Sequence, residues 1–132
     1  MHRFGVYKIY VLWYTNQIVY IDTCVGMEEM DMAVIEITQE NYEAEVLHSD
    51  KPVLLDFWAA WCGPCQMLSP VVDKIGEEHE DIKVGKINVD TEGELASQFR
   101  VMSIPTLIVM KDGEESNRSV GVVSQEEILA LL

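Results

Sequence analysis

The sequence predicts an α/β fold in which a central mixed β-sheet is flanked by helices. Three observations carry the prediction. Val53 to Ala59 is a nearly continuous apolar run, the pattern of a strand covered on both faces of a sheet. After it, Met67, Leu68, Val71, Val72 and Ile75 recur at helical spacing and a second apolar run follows at Ile82 to Val89, which makes a β-α-β unit. Asp112-Gly113, between two further strand-like runs, marks a tight antiparallel turn. A parallel unit joined to a hairpin gives the sheet its mixed character.

The 132 residues suffice for one core and are too few for two ordinary domains. Residues 1–31 read as an N-terminal extension and residues 32–132 as the domain. Phe4 to Ile21 is rich in Tyr, Val, Ile and Trp, but its longest unbroken apolar run, Ile9 to Tyr14, falls far short of the roughly 18–20 residues of a membrane helix. No membrane partner is expected. A secretory leader also fits poorly, because no small-x-small cleavage site precedes Glu28, Glu29 and Asp31. Cys24 resembles a lipid-acceptor cysteine only loosely, since Asp22 stands where a small or apolar residue is wanted. Two readings remain: a β-hairpin turning at Thr15-Asn16-Gln17, or a non-native extension preceding a later start at Met27, Met30 or Met32.

From Ala33 the elements follow in order. Ala33 to Ile37 is a short strand, and Thr38 is placed to cap a helix from Gln39 to about His48. Asp50-Lys51-Pro52 breaks that helix before the central strand. The next helix runs from the region of Cys62 to about Glu78, with a kink expected at Pro70, which removes the bond to the Gln66 carbonyl. The acidic group Glu77-Glu78-His79-Glu80-Asp81 reads as its solvated exit, not as a metal site. Thr91-x-x-Glu94 reads as a capping box opening a short helix to about Phe99. Thr106 to Lys111 is the third core strand, paired through Asp112-Gly113 with a strand near Asn117 to Val122. Ser124-x-x-Glu127 caps a last helix of only about eight residues.

A net charge of −14 argues against nucleic acid as a partner, because phosphate binding needs a basic surface. Three cysteines make no disulfide framework and suit a reducing compartment, so a cytoplasmic location is expected.

Two of the three form Trp61-Cys62-Gly63-Pro64-Cys65, between the central strand and its helix. With the helix starting at Cys62, the two cysteines lie one turn apart, where Cβ atoms are roughly 5–6 Å from each other. A disulfide prefers roughly 3.5–4.5 Å, so the bridge closes with some strain, and an exposed, strained bridge is easily reduced and remade. Cys62 meets the unpaired N–H groups and the positive end of the helix dipole, which makes it the better thiolate. It is the expected nucleophile, and the more shielded Cys65 the resolving thiol. Pro64 fits the first helical turn, where a missing N–H costs nothing. Half a zinc site is the competing reading, but the remaining donors, Cys24, His2, His48 and His79, are scattered singly, and neither metal nor bound cofactor is expected.

Val53 to Cys65 resembles the active-site signature of the thioredoxin family, and Ser103-Ile104-Pro105-Thr106 resembles that family's cis-proline loop. The resemblance begins near Met32 and runs to the C-terminus, which favours the second reading of residues 1–31. It implies a thioredoxin fold, a monomer, and a protein-disulfide reductase supplied with electrons by a thioredoxin reductase and acting on protein disulfides. It also implies that Asp56 relays protons for Cys65 and that Lys86 faces Asp56. On its own terms Asp56 is a carboxylate within an apolar strand, where burial raises the pKa.

An X-Pro bond taken alone is cis in only about 5–6% of cases; the resemblance makes Ile104-Pro105 cis, turning the Ile104 backbone toward the dithiol. The implied substrate surface comprises Trp61, Gly63, Pro64, Ile104, Pro105, Val120 and Gly121, with Gly121 leaving room for an approaching chain. Gln66 departs from the pattern, since many relatives carry a basic residue there; losing that charge makes Cys62 slightly less acidic. Gly-Pro between the cysteines favours a reductant over an isomerase or oxidase of the same fold. A redox-gated protein-binding module is the alternative from another functional class.

Overall fold

A computed structural model describes residues 8–14, 17–23 and 34–132. The chain divides into a unit of residues 1–32 and a unit of residues 33–132. In the first, strands β1 (Lys8–Tyr14) and β2 (Gln17–Thr23) pair antiparallel, with Lys8 opposite Thr23 and Tyr14 opposite Gln17. Gln17 begins the second strand, where a turn at Thr15-Asn16-Gln17 was expected. Cys24 lies outside the described residues.

The second unit is a five-stranded sheet of order β3-β5-β4-β6-β7, formed by β3 (Val34–Glu36), β4 (Val53–Trp58), β5 (Lys83–Asn88), β6 (Thr106–Lys111) and β7 (Glu114–Val120). Strands β3, β5 and β4 are parallel to one another, whereas β6 and β7 run antiparallel, so the sheet is mixed. Helices α1 (Gly63–Glu78), α2 (Gly93–Gln98) and α3 (Gln125–Leu131) complete the α/β thioredoxin fold.

The two-residue period of β4 sorts its side chains between two apolar layers. Val53, Leu55 and Phe57 join Leu95 and Phe99 on the α2 side. Leu54 joins Leu68, Val72 and Ile75 of α1 and Ile128 of α3 on the other. Each fully buried aliphatic or aromatic side chain in these layers stabilises the fold by about 1.5–3 kcal/mol. Asp56 shares the parity of Leu54 and so belongs to the α1 face. On β5, Val84 and Lys86 share that parity too, and Val84 packs in the α1 layer.

Several predicted elements change in detail. The helix expected over Gln39 to His48 is a turn followed by a π-helical segment, Glu43–Leu47, closed by a His48 N–H bond to the Glu43 carbonyl of 3.0 Å. Thr38 caps the turn as expected: its Oγ1 accepts from Asn41 N–H at 3.4 Å while the Asn41 amide oxygen accepts from Thr38 N–H at 2.7 Å, and the Asn41 amide nitrogen donates to the Glu36 carbonyl at 2.8 Å.

The Thr91–Glu94 capping box does not form. The Thr91 hydroxyl donates to the Asn88 carbonyl at 3.3 Å, Asp90 N–H is taken by the Asn88 side chain at 2.9 Å, and α2 opens one residue later without a side-chain cap.

Strand β7 begins at Glu114, earlier than expected, because Asp112 (φ 53°) and Gly113 (φ 79°) both adopt positive φ. That is the two-residue turn whose twist matches the flanking strands, so pairing starts at once with Lys111 opposite Glu114. The capping box at α3 is present: Ser124 Oγ accepts from Glu127 N–H at 3.2 Å and Glu127 Oε2 accepts from Ser124 N–H at 2.7 Å. Among the described residues no helix is long and apolar enough to cross a membrane.

Candidate active site

The β4 strand ends at Trp58, and the chain turns over Ala59 to Cys62, where Cys62 N–H donates to the Ala59 carbonyl at 3.2 Å. Cys62 is the N-cap of α1, in extended conformation at φ −91° and ψ 110°. Pro64 stands in the first turn, as its missing N–H allows. Cys62 and Cys65 form a disulfide with their Cα atoms 5.3 Å apart. The Cys65 N–H donates to Cys62 Sγ at 3.2 Å. In the reduced protein the same N–H and the helix terminus favour a thiolate at Cys62.

The bridge is less open than expected: Cys62 is 5% exposed and Cys65 2%. Ala59, Trp58, Val89 and Ile104 close around the sulfurs. What is exposed is the surrounding rim, with Trp61 at 71% and Met102 at 94%.

Pro105 follows a cis peptide bond. The Ile104 carbonyl oxygen lies 3.9 Å from Cys62 Sγ, so the backbone of this loop faces that sulfur. Trp61, Cys62, Gly63, Pro64 and Ile104 line a groove of about 610 Å³. Sequence reasoning missed Val89, Ala96, Val101 and Met102, which line the same groove.

Pro105, Val120 and Gly121 are not among the groove's lining residues. Pro105 is buried, and its carbonyl accepts from Gly121 N–H at 2.8 Å. Gly121 has φ 95° and open space where a Cβ would stand, so a chain can approach there. Trp61 is anchored by its indole Nε1, which donates to Asp90 Oδ2 at 3.0 Å. Gln66 contributes no charge; its Nε2 donates to the Ala60 carbonyl at 2.8 Å, tying the helix to the turn before Cys62.

Asp56 is 1% exposed, and its Oδ1 has no hydrogen-bond partner. Burial pushes its pKa up to about 6; the Lys86 ammonium opposes the rise and the Asp73 carboxylate adds to it. Asp56 and Lys86 are register partners in β4 and β5. The Lys86 ammonium nevertheless bonds elsewhere, 2.6 Å from Asp73 Oδ1 and 2.5 Å from Ser69 Oγ. The expected facing of Lys86 and Asp56 is therefore one of backbone register and field, not of direct contact. Among the described residues no group of three or more His, Cys, Asp or Glu side chains is placed to hold a metal ion.

The thioredoxin family model matches residues 33–132. The chain belongs to the thioredoxin family. A thioredoxin of the red alga Porphyra purpurea is 46% identical over 102 residues, covering 76% of this chain and 95% of the relative. A thioredoxin of Mycobacterium tuberculosis is 48% identical over 98 residues, covering 74% and 84%. A Mycobacterium leprae protein described as a bifunctional thioredoxin reductase/thioredoxin is 46% identical over 96 residues, which are 72% of this chain and 21% of that protein. With this family and the Cys62–Cys65 disulfide at the start of α1, the protein is a dithiol-disulfide oxidoreductase.

Proposed function

We propose that Cys62 thiolate attacks a disulfide in a protein substrate laid along the groove beside Ile104. A Cys62–substrate bond forms, the substrate disulfide breaks, and the first substrate sulfur leaves as a thiolate that takes a proton from solvent. Cys65 then loses its proton and attacks Cys62 Sγ. The Cys62–Cys65 bond forms, the mixed disulfide breaks, and the second substrate thiol is released. The substrate gains two electrons and the dithiol loses two.

The observation that carries this reading is Cys62 at the N-cap of α1, with a backbone N–H on its sulfur and the Ile104 carbonyl 3.9 Å away. Asp56 is the group that exchanges a proton with Cys65, its low affinity for charge supporting that role. Trp61, Gly63, Pro64 and Ile104 hold the substrate chain, with Val120 and Gly121 extending the surface. The two electrons return from a thioredoxin reductase; the fused M. leprae relative supports that pairing. Cysteine usage supports action in a reducing compartment such as the cytoplasm, and the family resemblance supports a monomer.

Reduction of insulin disulfides by the full chain, recharged by a thioredoxin reductase, tests the reading, together with a redox titration. Thioredoxin itself is the reference at about −270 mV, against about −120 mV for a strongly oxidising relative. Turnover with a potential near the first figure is expected. A potential near the second, or no turnover, overturns reduction as the activity.

A further inference from the structure

Cys65, Ser69 and Asp73 are spaced four residues apart, which places them along one stripe of α1. That stripe runs from the resolving thiol down to the side chains that hold Lys86. The ammonium of Lys86 touches Ser69 Oγ at 2.5 Å and Asp73 Oδ1 at 2.6 Å. Among the described residues it makes no ion pair with Asp56, although the two are register partners on adjacent strands. Asp56 is left buried with Oδ1 unpartnered.

Resting on the proposed reduction mechanism, we propose that Ser69 and Asp73 are positioning residues for the resolving step: they hold the Lys86 ammonium on α1, so that Asp56 keeps no cationic partner in contact and stays free to exchange a proton with Cys65. Were Lys86 to swing onto Asp56, the carboxylate would be locked in its charged form and a poor relay. The charged groups bearing on Asp56 are Lys86 from β5 and Asp73 from α1, alongside the dithiol in the first turn of α1. From β6 the residue opposite is uncharged Leu107. The Lys86–Asp73 pair is partly exposed, with the Asp73 side chain at 46%. A purely structural surface pair of this kind contributes little to stability, and loss of the uncharged Ser69 hydroxyl would then leave the ionisation of Asp56 untouched.

The test is the pH titration of the Asp56 carboxyl carbon resonance in the reduced full chain, in the parent, Asp73→Asn, Ser69→Ala and Asp73→Glu. Without Asp73 the ammonium is uncompensated and free to approach, so the Asp56 midpoint should fall by about one pH unit. Ser69→Ala should move it the same way by less, and Asp73→Glu should restore it. Because losing the Asp73 charge lowers the Asp56 midpoint by itself, the charge-neutral Ser69→Ala decides: an unchanged midpoint in that folded variant overturns the proposal. Because the resonance reads the carboxyl and not turnover, a chain that fails to reduce insulin but shows the shift refutes the assigned activity and not this control.

Discussion

Replacing Cys62 with serine should reduce insulin turnover to background, while replacing Cys65 with serine should stop turnover after the first attack and leave a stable mixed disulfide. The asymmetry follows from the helix start. Cys62 sits at the N-cap, lines the groove and its sulfur receives the Cys65 N–H, whereas Cys65 lies inside the first turn and is not among the groove's lining residues. A serine hydroxyl stays protonated near neutral pH and cannot replace a thiolate as nucleophile. Without the Cys65 sulfur nothing within the protein releases the captured partner. Non-reducing gels of each variant mixed with a disulfide-bonded protein report the outcome. Partner trapped on Cys62→Ser instead of Cys65→Ser would reverse the two roles.

Asp56→Asn should act on both rate and stability. Asparagine keeps the volume but cannot give or take a proton, so the resolving step should slow by about 10²-fold, at the low end of general acid–base contributions. Stability should move the other way. Burial raises the Asp56 pKa from its ordinary 3.8 to about 6. Between those values the native chain binds more protons than the unfolded chain, so the stability attached to this group is present below about pH 4 and is lost as pH rises through about 6. Two pH units at about 1.4 kcal/mol each give a cost of about 3 kcal/mol for the ionised carboxylate above pH 7. Denaturant unfolding should show Asp56→Asn more stable than the parent by up to about that amount at pH 8, with the gap closing toward pH 4. A gap that does not vary with pH would mean that Asp56 ionises normally in the fold.

The features legible in the sequence are those fixed by local chemistry. The Cys62–Cys65 spacing, the apolar run of β4, the Asp112-Gly113 turn and the Ser124–Glu127 cap each depend on residues close in the chain, and each stands where it was expected. Local rules also misled where a neighbour offered a competing hydrogen bond. The Thr91 hydroxyl turned back to the Asn88 carbonyl and was lost to the cap expected at α2.

The rest of the groove's lining was hidden for a different reason. Val89, Ala96, Val101 and Met102 come from separate loops and α2, and each alone reads as ordinary core or as a solitary exposed apolar residue. Only the tertiary fold brings them into one groove with Trp61. The partnership of Lys86 with Ser69 and Asp73 was equally invisible, since the β4–β5 register points to Asp56 and the side-chain choice is made by α1.

The most direct measurement is the relative rate at which an alkylating reagent labels the two cysteines of the fully reduced chain at neutral pH, read by peptide mass. Cys62, at the helix mouth and on the groove, should be modified well before Cys65. Faster labelling of Cys65, or no reaction at either sulfur, contradicts Cys62 as the attacking thiolate.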